Sequence, residues 1–362
     1  MRGYLRCLMV APLLGCAVLL GGTQALAASD GPARVNAASA GPSWHIVKWF
    51  PRHTSLASVA AVSRRDAWAV GSVEARAAVF YWDGSTWQRR TVPGLSRSWL
   101  LYNVEATSAM NVWIVGRTQA GGPVVLRYDG LTWVRVPVPS DSLTPSLIAV
   151  LGPGDAWWAQ PGSAQGRSTV WHWNGSSWTA VPAPGDVTGL DGRGHQVWLV
   201  TQEHGTSPAP ATVLRWTGSG WQDMRLPDTR KLWWPQIAVS AGGEAWVQDI
   251  PVHGSPVTYH WTGQHWHKIL VPATADGQSV TMTNSMTYDG HSGVWFQGTA
   301  HWDGTRWIVP ALGPYPLTVL AMQGAVAPVP GTLGTWGIGC IDESHTARHD
   351  FRYFLAFEGA KP

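Results

Sequence analysis

The sequence predicts an all-β fold, a seven-bladed β-propeller made of four-stranded antiparallel blades. Three observations predict it. A tryptophan recurs at intervals of 41 to 49 residues, a tight glycine-containing turn and a second tryptophan follow it, and the chain carries half of a repeat at each end. No amphipathic helical pattern follows residue 27. The half-repeats favour a closed ring over a linear stack, because in a ring they join into one blade.

The first element of each repeat is a tryptophan that follows a short polar turn, as in DAWAVG and NVWIVG. Apolar and β-prone residues surround it, which is typical of a buried strand bounded by turns. We assign it to the second strand of each blade. The seven positions are Trp68, Trp113, Trp157, Trp198, Trp246, Trp295 and Trp336.

The second element is a hairpin with an aromatic residue before the turn and a tryptophan after it, as in YWDGSTW. Dipeptides such as Asp83-Gly84 supply the positive φ angle that a tight hairpin needs. A four-residue loop would place Trp82 opposite Trp87 across the hairpin. The fourth-strand tryptophans are Trp87, Trp133, Trp178, Trp221, Trp266 and Trp307.

The seventh repeat ends without its fourth strand. Trp44 lies 43 residues before Trp87, in phase with the fourth-strand series. We therefore predict a propeller over residues 42–358 whose last blade is completed by residues 42–50.

The first 27 residues have the pattern of a secretory signal peptide. Arg2 and Arg6 precede an apolar run, and the run ends in the small-x-small sequence Ala25-Leu26-Ala27. The run is shorter than the ~20 residues that span a bilayer, so no membrane span is expected after cleavage. We predict a secreted protein with a flexible linker over residues 28–41. The alternative is a lipoprotein anchored through Cys16.

The composition excludes some classes of protein. Without the two arginines of the signal, 23 basic residues face 22 acidic ones, so the chain lacks the charge of a nucleic-acid-binding protein. Only Cys340 remains after cleavage, so no internal disulfide can form. The core must hold by packing, mainly of tryptophans.

The two repeat elements together resemble the kelch and galactose-oxidase type of propeller repeat. The Asp-Gly-x-x-Trp turn also resembles the Asp-box of sialidase propellers and the turn of fucose-binding propeller lectins. In those lectins a sugar-binding Glu stands three residues before the tryptophan. That slot is here taken by Val79, Val170, Val213, Thr258 and Thr299.

Aromatic residues outside the repeat positions are the candidate ligand-binding residues. Several lie on the segments that enter the first strands, on the face where propellers of this type usually bind ligands. Aromatic faces with nearby cations suit sugar rings or peptides; the alternative is that they plug the channel or pack between blades. The predicted site residues are Trp99, Trp233, Trp234, Tyr315, Arg97 and Lys231.

Two histidine-containing segments are weak metal candidates. Asp342, His345 and His349 lie in CIDESHTARHDF, for which we favour a solvated loop. His260 and His267 are expected to oppose each other across a hairpin of outer strands. His172, His260 and His301 recur at one repeat slot, which indicates shared repeat ancestry. No cofactor is predicted.

The sequence thus favours a non-enzymatic binding or scaffold protein for an extracellular glycan or protein. The alternative is a sialidase-like or galactose-oxidase-like enzyme with a site at the channel mouth. No spacing selects a catalytic pair, and no catalytic residue is assigned. The charged residues considered for such a site are Asp186, Asp191, Asp228, Asp342 and Glu343, with Arg52, Arg97, Arg193 and Arg230.

Overall fold

The computed structural model describes the propeller in thirteen stretches of chain. The predicted signal peptide and linker lie outside them, so both stay predictions. Within the described stretches, no helix is long and apolar enough to cross a membrane. The stretches are 43–139, 147–160, 168–206, 208–228, 231–233, 235–249, 256–275, 278–279, 286–296, 300–311, 320–321, 326–342 and 351–359.

Six blades are four-stranded antiparallel sheets in which consecutive strands pair, and the first strand of each lines a shared central channel. Blades 1 to 3 contain β2 (Thr54–Ser63), β3 (Asp66–Val73), β4 (Arg76–Trp82) and β5 (Trp87–Arg90); β6 (Leu100–Ser108), β7 (Asn111–Arg117), β8 (Pro123–Tyr128) and β9 (Trp133–Arg135); and β10 (Leu147–Gly152), β11 (Asp155–Gln160), β12 (Thr169–Trp173) and β13 (Trp178–Pro182).

Blades 4 to 6 repeat this order, and a small hairpin of β22 (Thr274–Ala275) and β23 (Gln278–Ser279) stands between blades 5 and 6. Their strands are β14 (Asp186–Arg193), β15 (Gln196–Gln202), β16 (Ala211–Trp216) and β17 (Trp221–Asp223); β18 (Gln236–Val239), β19 (Ala245–Asp249), β20 (Val257–Trp261) and β21 (Trp266–Leu270); and β24 (Met286–Tyr288), β25 (Val294–Phe296), β26 (Ala300–Trp302) and β27 (Trp307–Ile308).

Blade 7 joins the two ends of the propeller. Its strands are β28 (Leu320–Ala321), β29 (Val326–Pro328), β30 (Thr335–Asp342) and β31 (Phe351–Glu358), with β1 (Trp44–Trp49) at the outer edge. β1 pairs antiparallel with β31, with Trp44 opposite Glu358 and Trp49 opposite Phe354. The predicted seven-bladed ring, closed by the N-terminal strand, is confirmed.

Tryptophans pack each blade against the next one. Trp68 of blade 1 lies 5.6 Å, ring centroid to ring centroid, from Trp133 of blade 2. In the same way Trp157 of blade 3 lies 5.9 Å from Trp221 of blade 4. Each such ring removes roughly 150 to 250 Å² from water, a gross gain of about 4 to 6 kcal/mol. The recurring second-strand tryptophan therefore fills the space between neighbouring blades, and we call this contact the tryptophan wedge.

The indole N–H groups of the outer strands tie blades together as well. Trp221 Nε1 donates to the carbonyl oxygen of Pro182 in the preceding blade at 3.0 Å. Trp266 Nε1 donates in the same way to Met224 at 2.8 Å, across the next blade boundary. In both bonds the acceptor is a backbone carbonyl at or just after the end of the preceding blade's outer strand.

The hairpin of blade 1 shows why the turn sequence recurs. Trp82 and Trp87 are opposite each other with ring centroids 5.9 Å apart, as predicted. Gly84 has φ +92°, and a Cβ there would lie 2.8 Å from the Arg65 side chain. Asp83 Oδ1 accepts hydrogen bonds from the backbone N–H groups of Ser85 and Thr86, which stabilises the turn.

Candidate functional site

The segment before β18 is anchored to the neighbouring blade. The Leu232 side chain is 2% exposed. Its backbone N–H donates to the Ala209 carbonyl at 2.9 Å, and its own carbonyl accepts from the Ala209 N–H at 3.2 Å. Gln202 Nε2 donates to both of those carbonyls, at 2.6 and 2.9 Å. These four bonds fix Leu232 against the connection between β15 and β16.

The two neighbours of this anchor face outward. Lys231 is exposed, and the large aromatic side chain of Trp233 is 43% exposed. Earlier in the same segment, Asp228 Oδ2 accepts a 2.6 Å hydrogen bond from the hydroxyl of Tyr259, which is itself buried. An exposed tryptophan on a fixed backbone is preorganised for binding, because little conformational freedom is lost on contact.

Polar groups adjoin the anchor on blade 4. His204 Nδ1 lies 2.8 Å from Asp186 Oδ1, and the Gly205 N–H donates to Asp186 Oδ2 at 3.2 Å. Asp186 is the backbone partner of Gln202 in the β14–β15 ladder, and Gln202 is the residue whose side chain bonds the Leu232 carbonyl. The side chains of His204 and Asp186 are 34% and 26% exposed. We call Lys231, Trp233, Asp186 and His204 the loop-face cluster.

Trp99 lies in the predicted segment, directly before β6, but in a different environment. It is half-buried and packs against the core between blades 1 and 2. The Arg135 guanidinium lies 5.3 Å from the centre of its ring. Arg97 is exposed, and its carbonyl accepts a 3.0 Å bond from the Ala77 N–H. Trp99 therefore has a packing role, and only part of it is open to a ligand.

Other predicted site residues lie outside the described stretches. These are Trp234, Tyr315, His345 and His349. Asp342 ends β30. Across the described part of the chain, no group of three or more His, Cys, Asp or Glu side chains could hold a metal ion.

The recurring histidine has a structural role. In each of three blades it lies flat on the second-strand tryptophan and close to a carboxylate. The ring-centroid distances are 4.1 Å for His172 on Trp157, 4.4 Å for His260 on Trp246 and 4.2 Å for His301 on Trp295. Ladder partners at the same slot in the other blades are Tyr81, Arg127, Arg215 and Phe357.

His260 faces His267 across the outer hairpin, as predicted. Burial, and to a smaller degree the neighbouring His267, together lower the pKa of His260 to about 4. The Nε2 atom lies 3.4 Å from Glu244 Oε1. A neutral imidazole stacked on Trp246 contributes to the packing of the blade.

The central channel holds a polar cavity of about 200 Å³ between the first strands. One ring of residues lies opposite the second-strand tryptophans, and most of its members are small. Glu105 and Asp191 are the exceptions, and Arg193 follows two residues later on β14. The ring consists of Ala60, Glu105, Ala149, Asp191, Ala238, Thr287 and Ala327.

Burial raises the pKa values of both channel carboxyls, and neighbouring charges modify the rise. Burial raises the pKa of the Glu105 carboxyl to about 7; the Arg193 guanidinium opposes this rise and the Asp191 carboxylate adds to it. Burial also raises the pKa of Asp191. Asp191 Oδ1 and Oδ2 accept 2.8 Å bonds from the N–H groups of Gly192 and of Val239 in the next blade.

Sequence reasoning missed Glu105. It considered Asp191 and Arg193 among several scattered charges, and the structure brings these two together with Glu105 at one cavity. The sequence contains a signal for it. Glu105 stands eight residues before Trp113, and the residue eight positions before the corresponding tryptophan is an alanine in blades 1, 3 and 5 (Ala60, Ala149 and Ala238). Asp186 and Asp228 instead lie with the loops around Leu232.

The slot of the lectins' sugar-binding Glu is closed to ligands in four blades. Val79, Val170, Val213 and Thr258 are each 0% exposed, within the sheets. The turn resembles that of the lectins, but these residues pack between blades.

A scan against protein-family models and a search of curated proteins found no match. Among solved structures, Aleuria aurantia lectin in complex with Fucα1-6GlcNAc is 14% identical, with a TM-score of 0.48, over 74% of this chain and 99% of that one. The β-propeller domain of the trilobed protease from Pyrococcus furiosus is 10% identical, with a TM-score of 0.46, over 68% and 77%. Virginiamycin B lyase from Staphylococcus aureus is 13% identical, with a TM-score of 0.43, over 70% and 95%. The chain is similar to these proteins in fold alone.

Proposed function

We propose that the chain is a secreted, non-enzymatic binding propeller that recognises an extracellular glycan through the loop-face cluster. One observation carries the proposal: the buried Leu232, whose backbone makes three hydrogen bonds to Ala209 and Gln202, holds Trp233 outward on a fixed backbone. Sugar-binding sites need an aromatic face for the C–H side of the ring and polar groups for its hydroxyls. Trp233 supplies the first, and Lys231, Asp186 and His204 supply the second.

A glycan array tests this proposal. The full mature chain is compared with Trp233→Ala and with Leu131→Ala, a control that removes another exposed apolar side chain, 86% exposed on the blade 2 hairpin. Loss of a stacking tryptophan should weaken binding about tenfold or more, while the control leaves it unchanged. Equal binding by the wild type and Trp233→Ala would refute the assignment of the site.

Trp99 separates this site from the wider set of predicted residues. Because one side of Trp99 packs between blades 1 and 2, Trp99→Ala should lower the stability more than the glycan affinity. Glycan binding and the urea midpoint of this variant are measured together. Loss of binding at unchanged stability would instead place the ligand on Trp99.

An extracellular protein is the other occupant that the loop-face cluster accommodates, since an aromatic side chain beside a cation also clamps peptides. Enzymatic removal of glycans from the bound material distinguishes the two. Binding that is lost on deglycosylation supports a glycan, and binding that survives supports a protein.

Secretion is part of the proposal and has its own test. Cleavage after Ala27 would yield a mature chain that begins at Ala28. N-terminal sequencing of the exported protein should find that residue. A lipid-modified N-terminus at Cys16 would instead support the lipoprotein alternative.

One observation favours the enzymatic alternative, namely the carboxylates and the arginine that meet in the channel. A pKa near 7 suits Glu105 to general acid–base chemistry. Turnover of a sialoside or galactoside by the wild type, with loss of turnover in Glu105→Gln, would support this second candidate.

A further inference from the structure

Two charged side chains in the channel have polar atoms without a hydrogen-bond partner among the described residues. No donor from the described residues reaches the Glu105 carboxylate, and Glu105 is half-buried and lines the cavity. Arg193 Nε is buried and has no acceptor in the described structure. Unpaired buried polar groups are costly, so a molecule that satisfies them would gain affinity.

The charge balance of the cavity favours a cation. The charged side chains among its described lining are Glu105, Asp191 and Arg193. When both carboxylates are ionised, the set carries one net negative charge. A monocation neutralises it, whereas an anion would add to it at a site of low dielectric.

The rest of the lining suits hydroxyl groups. Ser58 Oγ donates to Asn103 Oδ1 at 2.7 Å, which fixes the Asn103 amide beside the cavity. Gln236 and Thr287 line the same space. A cavity of about 200 Å³ corresponds to the space of roughly seven waters, enough for a small polar molecule.

We propose that the channel binds a small hydroxylated primary amine in its ammonium form, with the ammonium group at Glu105 and Asp191 and the hydroxyl groups at Asn103 and Thr287. This site uses none of the four residues of the loop-face cluster and does not rest on the glycan proposal.

Binding of an ammonium group should be coupled to a proton. Near pH 7 about half of the free Glu105 carboxyls are protonated, because the pKa is about 7. The bound cation requires the ionised form of Glu105, so binding at pH 7 releases up to about half a proton for each ligand that is already an ammonium ion, and the affinity rises with pH through 7 as long as the amine stays protonated.

Calorimetry on the full mature chain tests the proposal with three probes that share one pyranose ring and differ in charge: glucosamine, glucose and glucuronate. Glucosamine should bind, glucose should bind at least about tenfold more weakly, and glucuronate should not bind. Repeating the titration in two buffers of different ionisation enthalpy measures the released proton. Preference for glucuronate, or for glucose over glucosamine, would overturn the proposal.

Variants locate the probe. Glu105→Gln should weaken glucosamine binding about tenfold or more and abolish the proton release, while Glu74→Gln, which removes an exposed carboxylate on blade 1, leaves both unchanged. Trp233→Ala should keep the glucosamine signal, which separates this site from the glycan site. A signal that disappears in Trp233→Ala and persists in Glu105→Gln would refute the channel site. Ethanolamine repeats the test without a sugar ring.

Discussion

Trp336 of the last blade packs edge-on against Trp87 of the first, with ring centroids 5.0 Å apart and ring planes at 83°. Trp336 is 0% exposed. The same type of contact joins blade 6 to the N-terminal strand, where Trp295 lies 5.4 Å from Trp44. Closure therefore uses the same tryptophan wedge as the other blade boundaries, and the β1–β31 ladder adds backbone hydrogen bonds to it.

Removal of this wedge should destabilise the whole ring. Trp336→Ala leaves a large cavity between blades 7 and 1, and such truncations typically cost about 3 to 5 kcal/mol of the free energy of unfolding. Leu131→Ala, at an 86% exposed site, should cost under about 0.5 kcal/mol. Urea unfolding followed by tryptophan fluorescence measures both. Equal midpoints for the two variants would show that Trp336 does not hold blades together.

Glu105 should make the free protein less stable as the pH rises through neutrality. The pKa of its carboxyl is raised from 4.5 to about 7 in the folded state. The folded state therefore binds more protons between these values, and stability falls from about pH 4.5 to about pH 7. Glu105→Gln removes the ionisable group, so at pH 8 it should be up to about 3 kcal/mol more stable than the wild type.

The control for this prediction is Glu74→Gln, whose urea midpoint should follow the wild type at every pH from 5 to 8. A Glu105→Gln variant that is less stable than the wild type at pH 8 would show that the carboxylate has a partner and carries no burial cost.

His260 should make the protein sensitive to acid. Its pKa is lowered to about 4 by burial and by His267. An unfolded histidine binds a proton near pH 6.5, so the unfolded state gains protons first and stability falls as the pH drops from about 6.5 to 4. With allowance for solvent screening, the loss attributable to His260 is about 1 to 2 kcal/mol.

His260→Phe tests this with a side chain that the protein already uses, since Phe357 packs on Trp336 at the same slot of blade 7. The variant should lose less stability than the wild type between pH 6.5 and 4. His195→Gln, at an exposed turn, is the matched control. If His260→Phe loses as much stability as the wild type between pH 6.5 and 4, the acid sensitivity belongs to other groups.

Much of the fold could be predicted from the sequence because its markers are local. The turn chemistry of Asp83-Gly84 fixes a hairpin, and the hairpin fixes Trp82 opposite Trp87. Trp44 stands at the repeat spacing before Trp87, and this spacing predicts that its strand pairs with the last strand of blade 7, β31. The β22–β23 hairpin lacks these markers and was not foreseen.

The candidate site was less predictable because it depends on contacts between blades. Leu232 is marked by nothing in its own sequence; its burial follows from Ala209 and Gln202 on another connection. The place of Glu105 in the channel follows only from the pairing of the first strands with the second strands that carry the tryptophans. Exposure of Trp233 and partial burial of Trp99 likewise follow from what the adjoining blades cover.

Amide hydrogen exchange of the N-terminal strand tests closure of the ring most directly. In the wild type, the account predicts that a peptide covering residues 44–49 is protected from exchange to about the same degree as residues 351–358. Trp44→Ala removes a side chain that is 1% exposed in the folded protein. In this variant, residues 44–49 should lose protection before β3 does. Exchange of 44–49 at the rate of an unstructured chain, with 351–358 still protected, would contradict it.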